Sequence, residues 1–219
     1  MLNQFPRIAH FQGSHADDGD LWLAREDEQH LLHVPVQVSE KLDGINVAIA
    51  HHRSGFEIDL RPPWNRSLGG AVARAVEIYV RQRATRFQTL LGPHDVAYGE
   101  WLWHCVSLRY QALPDVMVIH SLYRDGHWLF PQQLQSQVAC VGLTPQVAQW
   151  QGVLGQLSAL QRRVRPSAHG APFIEGLVIE RLGPGPGPRW GKWVHRRYRH
   201  IEPGVLKGDH NVLRRTGEG

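Results

Sequence analysis

Cysteine is nearly absent from this 219-residue chain, which has only Cys105 and Cys140. Two thiols offer no disulfide framework, which argues against a small disulfide-stapled secreted module and fits a reducing cytoplasm. Both are read as buried small hydrophobes. No uninterrupted apolar run approaches the roughly 18 residues of a membrane-spanning helix. The opening MLNQFPRIAHFQGS lacks the apolar stretch of a secretory signal. Lysine is scarce as well: Lys41, Lys192 and Lys207 are the only three, and every other basic residue is an arginine.

What remains is an ordinary globular composition, 42% hydrophobic and 20% charged, with 24 Lys+Arg against 20 Asp+Glu. Length and composition suit one large domain with a sizeable core. The positive charge is concentrated in RRVR (162–165) and HRRYRH (195–200), the second interleaved with Tyr198. Such runs suit a phosphate backbone or, equally, a solvated basic face. The adjacent His51 and His52 lie on a strand pattern and point to opposite faces, so they cannot chelate one ion together.

The first 33 residues read as polar and turn-rich, with Asp17-Asp18-Gly19-Asp20 in a loop. VPVQV (34–38) alternates and ends at the run EKLDG, which places Lys41 in a short connection before INVAIAHH (45–52) and GFEIDL (55–60). From 69 to 91 apolar residues recur at three- and four-residue spacing, predicting one amphipathic helix stopped by Gly92-Pro93. Segments 95–103, 116–123, 127–130, 173–182 and 189–195 read as strands. Segments 131–141 and 145–160 read as helices, and GPGPGP (183–188) as a turn. Antiparallel hairpins with flanking helices make the class α+β.

The motifs give this outline a chemistry. EKLDGINVAI, AYGEW, IEGLVI and GKWVHRRY follow one another in the order and spacing of the nucleotidyltransferase domain of ATP-dependent RNA ligases. The chain resembles that family, within the covalent nucleotidyltransferase superfamily and nearest its nick-sealing type, over about residues 5–200. FPRIAHFQGS is similar to the segment that precedes the lysine motif there. The resemblance implies a ligase adenylation domain of largely antiparallel sheets with flanking helices, similar to the ATP-grasp architecture, in residues 1–200. Residues 201–219 would form a C-terminal tail.

The resemblance also implies an activity. Lys41 takes AMP from ATP, passes it to a 5′-phosphate, and a 3′-hydroxyl then expels AMP to form a phosphodiester, as in RNA repair. Glu100 hydrogen-bonds the ribose hydroxyl. Glu175 helps to hold Mg²⁺, with Mn²⁺ as the alternative ion. Lys192 stabilises charge on the phosphate, and Glu40, Asn46 and Arg61 join the nucleotide site. The partner is RNA with 5′-phosphate and 3′-hydroxyl ends, nicked duplexes included, gripped by the basic surface or with help from a partner protein. The alternatives are a GTP-dependent guanylyltransferase of the capping type and a catalytically silent nucleic-acid-binding relative.

Physical chemistry explains the residue types. A lysine amine is almost wholly protonated at neutral pH and is then no nucleophile, so it needs desolvation or a second cation nearby. Two departures from the family pattern stand out. His120 occupies the place of an aromatic residue that sandwiches the purine, with Tyr123 three residues on, and either ring can stack on a base. Trp190 stands where the family often has a further lysine, leaving Lys192 alone.

Overall fold

Val36, Val38, Leu177, Ile179 and Trp193 take alternate positions along their strands and turn to one core, and that alternation builds the first of two sheets. The computed structural model describes residues 2–61, 69–198 and 210–214. The chain divides into two compact units. One comprises residues 6–42 and 147–200, the other residues 1–5, 43–146 and 201–219.

The unit containing residues 6–42 holds a four-stranded sheet. Its strands are β1 (Val36–Lys41), β7 (Ala148–Gly152), β8 (Gly176–Arg181) and β9 (Trp190–Val194), in the order β7-β1-β8-β9 and all antiparallel. Helices α1 (Arg25–His33) and α5 (Leu157–Gln161) supply Leu31, Leu32, Ala159 and Leu160 to a core with those five alternating residues and Phe11. Residues directly opposite each other in a ladder share a face. Register pairs Ser39 with Val178 and Val178 with Lys192, while Lys41 pairs with Gly176. Lys41, Ser39 and Lys192 therefore stand on the face opposite the core. Two glycines fit this packing: a Cβ on Gly176 would run into the Trp193 backbone, and one on Gly191 would run into the Phe11 ring.

The other unit holds a five-stranded antiparallel sheet, β3-β2-β4-β5-β6. Its strands are β2 (Ile45–His52), β3 (Gly55–Leu60), β4 (Val96–Trp101), β5 (Met117–Arg124) and β6 (His127–Trp128). Helices α2 (Gly69–Gln82), α3 (Ala84–Leu90) and α4 (Pro131–Cys140) cover one face. Val72, Val76, Phe87, Leu134 and Val138 pack there against Ile45, Val47, Ile49, Ala97, Met117 and Ile119. The β5–β6 turn has both central residues at positive φ, Asp125 at 48° and Gly126 at 82°, the geometry of a two-residue type I′ hairpin. Asn211 is buried in this unit; its side chain donates to Leu102 O (2.7 Å) and accepts from Tyr110 N (2.8 Å). The rest of the expected tail, residues 201–209 and 215–219, lies outside the described residues, as does Lys207.

The α+β expectation holds, with both sheets antiparallel. Several local expectations do not. Residues 25–33, read as loop, form α1, with Leu31 and Leu32 as its buried apolar residues. The helix expected over 145–160 is instead strand β7 followed by the short α5. Gly152 and Gly155 at φ 147° and 75° cannot continue a helix, and pairing with β1 gives the segment its ladder. The helix expected over 69–91 breaks at Arg83, which leaves helical geometry (φ −115°, ψ 23°) with its guanidinium 3.9 Å above the Tyr79 ring. Lys41 is the last residue of β1 rather than part of a connection. Neither thiol is fully buried: Cys140, at the end of α4, is exposed and Cys105 half-buried.

Candidate active site

Lys41 ends β1 where the sheet reaches Glu175, the residue before β8. Its Nζ forms an ion pair with Glu175 Oε1. Glu175 is 5% exposed, and a carboxylate so removed from water is stable only with a charged or hydrogen-bonding partner. The lysine supplies that partner, with its side chain 26% exposed.

Lys192 joins them on the same sheet face. Burial lowers its ammonium from 10.5 to about 8; the Lys41 charge adds to the effect, while Asp20 and Glu175 oppose it. The Lys41 charge thus makes Lys192 easier to deprotonate. The three catalytic residues expected from sequence, Lys41, Glu175 and Lys192, are brought together.

Glu40 sits on the opposite side of β1 from Lys41. It is buried, and its carboxylate accepts from Ser167 Oγ (2.7 Å) and Ala168 N (3.1 Å). Burial raises its pKa against those two hydrogen bonds. Its visible work is to tie the loop after α5 to the lysine strand.

The remaining expected residues belong to the five-stranded sheet, on the face opposite its helices. Asn46 and Glu100 are directly opposed on β2 and β4. Tyr98 pairs with Ser121 and Gly99 with Ile119, so His120 is the extra residue of a β-bulge. A bulge re-aims side chains, and here it sends His120 to the Asn46 side, with His120 Nε2 3.0 Å from Asn46 Nδ2. Phe5 packs edge-on against His120 at 4.8 Å. Tyr123 shares this face but stacks edge-on with Trp128 at 5.0 Å. Arg61 donates its backbone N–H to Asn46 O (3.0 Å) and its guanidinium to Phe5 O. Gly44 lies so close to β4 that a Cβ there would stand 2.8 Å from Glu100 Cγ and 2.7 Å from Trp101 O. Close approach, more than turn geometry, explains the glycine. Asp43 of the same motif is a structural anchor: Oδ2 accepts from Ser107 N (2.7 Å) and Leu108 N.

Sequence reasoning missed two residues beside Lys192. His10, 1% exposed, pairs with Asp20 (Nε2–Oδ2 3.1 Å), and Asp20 Oδ1 lies 3.7 Å from Lys192 Nζ. The signal was present in FPRIAHFQGS, but a histidine and a loop aspartate ten residues apart have no diagnostic spacing. Burial, with Lys192 close by, lowers His10 from 6.5 to about 4 against the pull of Asp20. Between those values the unfolded chain binds a proton that the folded chain refuses. Stability therefore falls as pH drops from 6.5 toward 4, by about 3 kcal/mol for this group, and is insensitive to it above 6.5. Urea unfolding at pH 7 and pH 5 should show a smaller loss for His10→Gln than for wild type; parallel losses would exclude a buried neutral imidazole.

Among the described residues no three His, Cys, Asp or Glu side chains are grouped to hold a metal ion. Glu175 offers a hard oxygen donor of the kind Mg²⁺ or Mn²⁺ accepts, and phosphate and water would have to fill the other positions. Such a donor set fits an ion that arrives with a nucleotide.

Among solved structures the chain is similar to an RNA ligase of Naegleria gruberi. The form with pyrophosphate aligns with a TM-score of 0.50 at 16% identity, covering 89% of this chain and 58% of that chain. A variant with ATP and manganese gives 0.54 at 16% identity, over 88% and 58%. Another, with AMP and manganese, gives 0.50 at 15%, again over 88% and 58%. This chain thus spans less than two thirds of that ligase. No protein-family model matches it, and neither does any curated protein sequence. Two antiparallel sheets with few helices, in an order that aligns across most of this chain, give it the fold of an ATP-dependent RNA ligase-like nucleotidyltransferase.

Proposed function

We propose that this chain is an ATP-dependent RNA ligase that works through a covalent Lys41–AMP intermediate. The observation that carries the reading is the convergence of Lys41, Glu175 and Lys192 on one sheet face. Lys41 Nζ, once it has shed a proton, attacks the α-phosphorus of ATP. An N–P bond forms as the bond to the pyrophosphate oxygen breaks. Lys192, a second cation nearby, favours the loss of that proton and offsets the charge that builds on the phosphate oxygens. The AMP then moves to a 5′-phosphate oxygen, and a 3′-hydroxyl displaces it to leave a phosphodiester.

Glu100, Asn46 and Arg61 are assigned to the nucleoside, with His120 or Tyr123 against the base and Glu40 as a support of the lysine strand. Glu175 would hold a Mg²⁺ or Mn²⁺ ion, whose chemistry is to neutralise phosphate charge. Residues 1–200 are assigned to the adenylation domain and 201–219 to the tail. No helix among the described residues is long and apolar enough to cross a membrane, and the reading places the enzyme in the cytoplasm. Its partner is RNA with 5′-phosphate and 3′-hydroxyl ends.

Incubation with Mg²⁺ and either ATP or GTP, followed by intact mass measurement, tests this. An adenylyl adduct that is discharged by nicked duplex or single-stranded RNA is expected. A guanylyl adduct alone would transfer the assignment to capping-type chemistry, and no adduct would end it.

A further inference from the structure

We infer that His10 and Asp20 are positioning residues for Lys192, a role that rests on the ligase reading above. Residues 9–11 run parallel to β9 as an added strand: Phe11 N donates to Lys192 O (2.8 Å) and Lys192 N to Ala9 O (2.9 Å). His10 is bridged to Lys192 in that ladder, and Asp20 spans the two side chains.

The two oxygens of Asp20 divide the work. Oδ2 accepts from His10 Nε2 (3.1 Å) and from Asp17 N (3.1 Å), which fixes the carboxylate against its own loop. Oδ1 faces Lys192 Nζ at 3.7 Å and Arg7 at 3.3 Å. His10 is itself held from behind, Nδ1 lying 2.7 Å from Ser14 Oγ, under the Trp22 ring at 5.5 Å. A buried imidazole braced on both nitrogens is a rigid support.

Lysine has a compact charge on a flexible four-carbon stem, so its aim depends on what surrounds the tip. At 3.7 Å the pair is an ion pair longer than a hydrogen bond. It biases the ammonium's position without closing all its donors, which leaves them for an incoming phosphate. Asp20 also favours the charged form of Lys192 against burial and Lys41. Charge at that place is what the phosphoryl-transfer step uses.

A double-mutant cycle on lysyl-AMP formation separates this role from loop structure. Asp20→Asn should slow the reaction at saturating ATP about tenfold, with KM for ATP changed less than about threefold. Lys192→Ala should slow it about 100-fold, and Asp20→Asn should add nothing in the Lys192→Ala background. His10→Gln should behave as Asp20→Asn does, and Asp20→Glu should restore part of the rate. Circular-dichroism melting confirms that each variant is folded. A wild-type rate in Asp20→Asn, or losses that multiply in the double variant, would overturn the inference while the ligase reading stands. A wild-type chain that forms no adduct overturns both.

Discussion

Lys41→Arg is expected to form no adenylyl adduct at all while the folded chain persists. Arginine keeps a cation beside Glu175, but its guanidinium stays protonated at any usable pH and cannot attack phosphorus. Lys41→Ala should be equally inactive, but less stable. Glu175 is only 5% exposed, and removing the Lys41 ammonium takes a charged partner from a buried carboxylate, at a cost of about 1–3 kcal/mol. The pair of variants therefore separates chemistry from folding: same loss of adduct, different unfolding midpoints. Lys192 is not expected to stand in as nucleophile, since its amine lies toward Asp20 at 3.7 Å, on a strand that β8 separates from β1. Intact mass after prolonged incubation with ATP and Mg²⁺ is the measurement. An adduct persisting in Lys41→Arg would assign the nucleophile elsewhere.

Glu175→Gln should produce the next largest effect. The amide keeps the size of the side chain and can still hydrogen-bond Lys41, but it has no charge to offer a cation. Losing one electrostatic group of this kind lowers a phosphoryl-transfer rate by about 10²–10³-fold. If Glu175 helps to hold the ion that accompanies ATP, the variant should also need more Mg²⁺ to reach half its own maximal rate. Single-turnover adduct formation across a Mg²⁺ series, repeated with Mn²⁺, reads both quantities. An unchanged rate and unchanged metal dependence would remove Glu175 from the machinery and leave it a structural partner of Lys41.

Much of the fold was legible because alternation is local. VPVQV, INVAIAHH, GLVIER and WGKWV carry their pattern in a few residues, and a strand covers all or part of each. The Asp125-Gly126 turn likewise declares its own geometry. Two regions failed for a non-local reason. Residues 148–152 are a strand because β1 pairs with them, an interaction no window of sequence contains, and Trp150 and Leu154 suit a helical period just as well. The helix at 25–33 hides in REDEQHLLH, where Leu31 and Leu32 are its only buried apolar residues. In the site, Lys41, Glu175 and Lys192 were readable as motif residues. His10 and Asp20 were not, because what makes them notable is burial and a shared neighbour. Nor does the motif EKLDG show that the chain leaves one unit at Leu42 and enters the other at Asp43.

That crossing has a kinetic consequence. In the sheet that bears Lys41, Val36 pairs with Arg181 on one side and Gly152 on the other. The strand made early in synthesis has no ladder partner until most of the polypeptide has left the ribosome. Such long-range closure is slow, and in the interval β1 exposes both edges and its valines. Residues 43–146, by contrast, contain all the strands of their own sheet and can assemble while translation continues. The strand that bears Lys41 should thus be among the last parts of the protein to mature.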